Sequence, residues 1–137
     1  MTPYRLVLIA ATALTLTGCP DDPMGPEVRL AMVALGQCKY DTALKLVDHA
    51  ISGGDENYRE RALMLKAAIL RDQGDTAGAE ALYPAIAEAW KTRKDSTLKP
   101  SRRERDIGLY LDAARGQRRS NGLPEDCTTR TATGGAQ

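Results

Sequence analysis

At 137 residues the chain has room for one domain with a single hydrophobic core. Aromatic residues make up only 4% and Phe is absent, while Ala and Leu are plentiful; this argues against a β-sandwich and for close-packed helices. The formal net charge of +1 conceals a split, with seven Lys and Arg against twelve Asp and Glu over residues 19–90, and ten against four over residues 91–119.

In chain order, Arg5 and the α-amino group supply a positive start, and Leu6 to Leu16 form an apolar run of signal-peptide length. A bilayer-spanning helix needs about 20 residues, so the run is too short to cross one comfortably. It closes on Leu16-Thr17-Gly18-Cys19. These four residues resemble the lipobox of bacterial lipoproteins, a family in which the bond before the cysteine is cut and the cysteine takes a diacylglyceryl thioether. The resemblance implies that residues 1–18 are a signal peptide, that Cys19 is lipidated and that the mature chain is held on a membrane. Pro20, rather than Asp, follows the cysteine, which in lipoproteins of two-membrane bacteria tends to permit transfer to the outer membrane. The alternatives are an ordinary cleaved signal peptide or an anchor helix with a chance cysteine. Residues 19–26, with Pro20, Pro23 and Pro26, read as a short extended tether that keeps the domain near the lipid surface.

A helical domain is predicted over residues 27–120. The first helix runs from about Glu27 to Leu35, with Val28, Ala31, Met32 and Leu35 on one stripe and Gly36 as its stop. The second is capped by Asp41 and carries Ala43, Leu44, Val47, Ala50 and Ile51 before Ser52-Gly53-Gly54 ends it. The third starts near Asp55–Asn57, with Asn57 and Glu60 at capping-box spacing, and passes through Leu63, Ala67 and Leu70 to Gly74. The fourth is capped by Asp75 and runs to about Thr92 with Ala79, Leu82, Tyr83, Ile86 and Trp90 inward. Pro84 predicts a kink or break near Glu80–Pro84, because an interior proline costs about 3 kcal/mol. After a polar linker over 91–100, Ser101 and Glu104 suggest a capping box for a fifth helix bearing Ile107, Tyr110, Leu111 and Ala114. The tail, 121–137, is turn-like and expected to be disordered beyond Cys127.

A shift of 36 residues carries Ala43 onto Ala79, Leu46 onto Leu82, Val47 onto Tyr83 and Ala50 onto Ile86. Two helices per repeat at this interval is the signature of a stacked solenoid. Gln73-Gly74-Asp75-Thr76-Ala77-Gly78-Ala79, and Tyr40 with Ala43, resemble the tetratricopeptide-repeat family. There are departures: no Trp or Leu-Gly pair stands in the first helix of either unit, Cys38-Lys39 replaces Gly-Asp, and no Pro closes a repeat. The resemblance implies an all-α fold, a short right-handed α-solenoid of two hairpins with the last helix as a lid on the second. It also implies a concave groove that binds peptides or protein surfaces, lined by the first helix of each hairpin. That nominates Arg29, Met32, Arg59, Lys66 and Arg71; an ordinary solvated face is the alternative.

With Cys19 lipidated, Cys38 and Cys127 remain, an even pair in an oxidising compartment, and a disulfide between them is expected to pin the tail. Two free thiols are the alternative; no C-x-x-C or His pair suggests a metal. The basic segment, headed by Arg102, Arg103 and Arg105, suits anionic head groups or an acidic partner, or merely the solvated end of a helix. Export removes nucleic acid as its target. His49, the single histidine, adjoins Asp48 but points elsewhere on a helix, and no nucleophile or phosphate-loop motif is present, so neither catalysis nor a cofactor is expected. The reading is a membrane-anchored periplasmic adaptor docking an envelope protein. The alternatives are a pilotin-like escort clasping a secretin subunit's amphipathic tail, and a regulator of a cell-wall enzyme.

Overall fold

The computed structural model describes residues 23–53 and 55–127; the leader, Cys19, the tether as far as residue 22 and the tail beyond Cys127 lie outside the described residues. Among those described the chain is all-helical: α1 (Pro26–Gly36), α2 (Tyr40–Gly53), α3 (Glu56–Asp72), α4 (Thr76–Ala81), α5 (Tyr83–Lys94) and α6 (Pro100–Ser120).

The helix ends explain the chain's turns. α1, α3 and α6 each stop on a left-handed residue, Cys38 at φ 60°, Gly74 at φ 88° and Gly122 at φ 67°. In each case the next residue's N–H reaches back into the last turn: Lys39 to the Ala34 carbonyl at 2.9 Å, Asp75 to Leu70 at 2.9 Å, Leu123 to Arg118 at 2.8 Å. The left-handed stop is therefore Cys38, two residues after Gly36, which is the last residue of α1 and is buried against the Gln117 side chain. The 36-residue shift carries Cys38 onto Gly74, so the two hairpins turn in the same way with different residues.

Several expected caps move. Asp41 lies inside the first turn of α2, which starts at Tyr40. Asp55, not Asn57, caps α3 by accepting the Asn57 N–H at 2.9 Å, and Glu60 turns into the protein instead of back to the helix start. Asp75 caps α4 as expected, accepting the Gly78 N–H at 2.8 Å. No box forms at Ser101: α6 begins at Pro100 after Lys99, and Glu104 is drawn to Arg71. The expected interruption falls at Leu82, between α4 and α5, so Pro84 stands in a first turn where its missing N–H costs nothing.

α3 is the central rod, packed against all five other helices. Ala62, Leu63, Met64, Leu65, Ala67, Ala68 and Ile69 are buried along it, which is why its apolar residues run nearly all round. Ala43 and Ala79, the equivalents under the shift, are both fully buried, small residues letting neighbouring rods approach. α6 departs from the expected lid. It lies along α3 and α1, its backbone does not approach α4 or α5, and it meets α5 through the side chains of Arg102 and Arg103.

Candidate functional site

Two polar assemblies hold α6 in place. At its C-terminal end Arg118 is fully buried, although the apolar stripe of Ile107 and Ala114 leads straight to it. Its guanidinium donates to both Asp72 carboxylate oxygens, at 3.2 and 2.5 Å, and to the Leu35 and Glu125 carbonyls, each at 2.8 Å. Tyr40 donates to the same Asp72 carboxylate at 2.8 Å; burial, and then that hydrogen bond, raise its phenol well above the usual range. Beside this node Cys38 and Cys127 form a disulfide with Cα atoms 5.5 Å apart, fastening the tail over it. At the other end of α6, Arg71 bonds Glu104 at 2.6 Å and also donates to the Tyr83 hydroxyl, while Arg103 lies 3.6 Å above the Tyr83 ring. Hydrogen bonds from Arg71 and Arg103 outweigh the effect of burial and hold the Glu104 carboxyl below its ordinary range.

The residues nominated for partner binding are not brought onto one face. Lys66 turns to α2, pairing with Asp48 at 2.7 Å, and Arg59 donates to the Ile51 carbonyl at 3.3 Å. Arg71 and Arg103 are spent in the Tyr83–Glu104 cluster, and Arg29 is exposed on α1. Arg105 bonds Asp106 at 3.1 Å, as does Arg102 at 2.7 Å. Arg102 and Arg105 line one trough, and Met32 and Arg102 meet at a neighbouring concavity. His49 faces Glu27 at 3.6 Å and is exposed, and Asp48 beside it is taken by Lys66.

That concavity is a groove of about 460 Å³ between α1, α3, α5 and α6. Met24, Met32 and Met64 line it, three of the four methionines in the chain. Trp90, the single tryptophan, forms a wall, with its indole N–H donated to Ser96 at 3.1 Å. Guanidiniums stand over that ring, Arg93 at 5.6 Å and Arg102 at 5.4 Å from its centre. Leu109, 59% exposed, and Tyr110 complete the apolar lining. Burial, with the Glu60 charge behind it, pushes the Tyr110 phenol up to about 12, so at neutral pH it offers a hydroxyl and no charge. Glu60 is only 3% exposed and is held by Arg93 at 2.6 Å. A second trough of about 510 Å³ shares Trp90 and Arg102 with the first and continues toward Lys99 and Arg105.

No known protein family, curated protein or solved structure matches the chain.

The site is therefore read from its own chemistry. Methionine side chains are flexible and polarisable, and a surface built from them adapts to irregular apolar shapes. Arginine and lysine around that surface add charge complementarity without closing it. Among the described residues no group of His, Cys, Asp and Glu could hold a metal ion, and no helix is long and apolar enough to cross a membrane. The sequence signals for this groove were thin. Trp90 sits on the inward stripe of its helix, Met64 in a helix apolar all round, and Met24 in the tether, so nothing in their spacing joins them.

Proposed function

We propose that the protein is an exported lipoprotein, anchored through Cys19 at the periplasmic face of the outer membrane. Its tetratricopeptide-like helical hairpins serve as a non-catalytic adaptor for another envelope protein. The observation that carries this reading is the groove, where Met24, Met32 and the single tryptophan of the chain gather over the buried Met64, bordered by cations. Such a surface takes an apolar segment of a partner, in the manner of helix-in-groove recognition. The Leu16–Cys19 motif supports the anchor, and the Cys38–Cys127 disulfide suits an oxidising compartment. Met24 lines the groove, and Arg61 donates to the Pro23 carbonyl, so the tether would leave the domain at the rim of the site.

Two measurements test the reading. Labelled palmitate fed to cells must enter the protein and fail to enter a Cys19→Ala variant. A photo-crosslinking side chain at Leu109 must capture a protein in intact cells, whereas the same group at Lys45, on α2, must not. If the captured protein is a secretin, the pilotin-like escort replaces the general adaptor. An unlabelled wild-type chain would remove the anchor, and equal capture from both positions would remove the groove.

A further inference from the structure

We propose that the groove's occupant is an amphipathic helix of the partner protein, with acidic residues flanking its apolar stripe; this rests on the adaptor reading above. Charge argues it first. The two troughs are lined by the cations Arg61, Arg93, Lys94, Lys99, Arg102 and Arg105 against only two acids, Glu60 and Asp106. Both acids are already used, Glu60 by Arg93 at 2.6 Å, and Asp106 by Arg102 at 2.7 Å and Arg105 at 3.1 Å. Among the described residues, Arg61, Lys94 and Lys99 have no carboxylate partner, so the described residues leave the rim's positive potential uncancelled.

Shape and chemistry argue the rest. The apolar lining of Met24, Met32 and Leu109, floored by the buried Met64, suits side chains spaced three and four apart on a helix, which would insert as one row. The second trough extends the groove past Trp90, lengthening the track and ending it among Lys99 and Arg105. Anionic lipid is the competing occupant, since a lipidated Cys19 would lie four residues before Pro23. Trp90 argues against it: Ser96 holds its N–H and two guanidiniums stand over its ring, so it is a fixed wall rather than an indole extended toward a bilayer.

The test uses the full-length protein as isolated from its producing cells, in a neutral detergent. Trp90 is the single tryptophan, so its emission reports on the groove when the added ligand has none. The probe is a tryptophan-free helical peptide of about 15 residues with Leu at i, i+3, i+4 and i+7 and Glu on its polar face. Its twin carries Lys in place of Glu, and phosphatidylglycerol vesicles form the third arm. The acidic peptide is expected to shift the Trp90 emission with an affinity that weakens as salt rises, and the Lys twin to leave it unchanged. Arg102→Glu and Lys94→Glu are each expected to weaken acidic-peptide binding about tenfold. Lys94 is exposed, so its variant must keep the wild-type circular dichroism and thereby separates binding from folding. Equal response to both peptides, response to neither, or response to the vesicles alone would overturn the proposal. A protein captured from Leu109 in cells, with no acidic-peptide binding in solution, overturns this inference and leaves the adaptor standing; failure of both removes both.

Discussion

Arg118 offers five donors to a site that uses four of them; its Nε is buried without an acceptor. A guanidinium with no exposure is tolerable only because Asp72 neutralises it and the Leu35 carbonyl in the last turn of α1, which also takes the Cys38 N–H at 3.0 Å, accepts from it. Removing one partner should cost far more than removing both. Arg118→Met is expected to lose about 3–5 kcal/mol, because Asp72 is left paired only with Tyr40. Adding Asp72→Leu should restore part of that loss, and urea unfolding of the two single variants and the double closes the cycle. Strictly additive losses would show that the pair is not coupled. The sequence carried a clue to this residue: Ile107, Ala114 and Arg118 share one helical stripe, and Arg118 is the single charge on it. Its membership of a basic run hid that position, because charge counts do not distinguish a solvated arginine from a buried one.

Two carboxylates on the surface set a pH dependence at the same scale. Asp55 is lowered by the Asn57 backbone N–H and then by the Asn57 side chain; Glu104 is lowered where the hydrogen bonds from Arg71 and Arg103 exceed the effect of burial. A carboxyl whose folded value lies below its unfolded one adds stability above the unfolded value, about 4 for these residue types. That stability is lost as pH falls through the folded values. The melting temperature should therefore be flat from neutrality down to about pH 5 and fall below about pH 4. Glu104→Gln should flatten part of that fall, which a pH series of melting curves would detect.

Among the elements, existence was more legible than ends. Apolar stripes located the helices, with α4 and α5 read as one, and Pro84 marked the kink or break that separates them. Both proposed capping boxes were misplaced because tertiary demands outrank local ones: Arg93 takes Glu60, and Arg71 takes Glu104. Contact of α6 with α3 is expected of a lid on the second hairpin, but its packing along α1 was not legible, since a stripe says that a helix is buried without saying against what. The break at Leu82 changes what Pro84 does. With Pro84 in a first turn, Pro84→Ala is expected to move stability by less than about 1 kcal/mol, not to gain the roughly 3 kcal/mol of a relieved interior proline. Asp75→Ala should cost about 1 kcal/mol, because the Gly78 N–H of a six-residue helix loses its acceptor. Chemical denaturation of the two variants side by side checks both figures; a large gain from Pro84→Ala would mean that α4 and α5 are one strained helix.

At the scale of the whole molecule, the tail, the first turn and the last helix are tied at one point. The Cys38–Cys127 disulfide spans 89 residues of sequence, and under the chain-entropy model a loop of that size contributes about 4–5 kcal/mol. Cys38, however, occupies the left-handed stop of α1, the position filled by Gly74 in the second hairpin. A left-handed backbone costs a residue with a Cβ about 1–2 kcal/mol and costs glycine little. The first hairpin thus gives up some backbone stability to place a sulfur where it can reach the tail. Three variants separate the two effects. Cys127→Ser removes only the cross-link, Cys38→Ser removes it and keeps the strained turn, and Cys38→Gly removes it and relaxes the turn. The first two should fall by similar amounts in urea, while Cys38→Gly should retain about 1 kcal/mol more than either. If all three fall equally, the left-handed turn at Cys38 carries no cost, and the bond alone accounts for the loss.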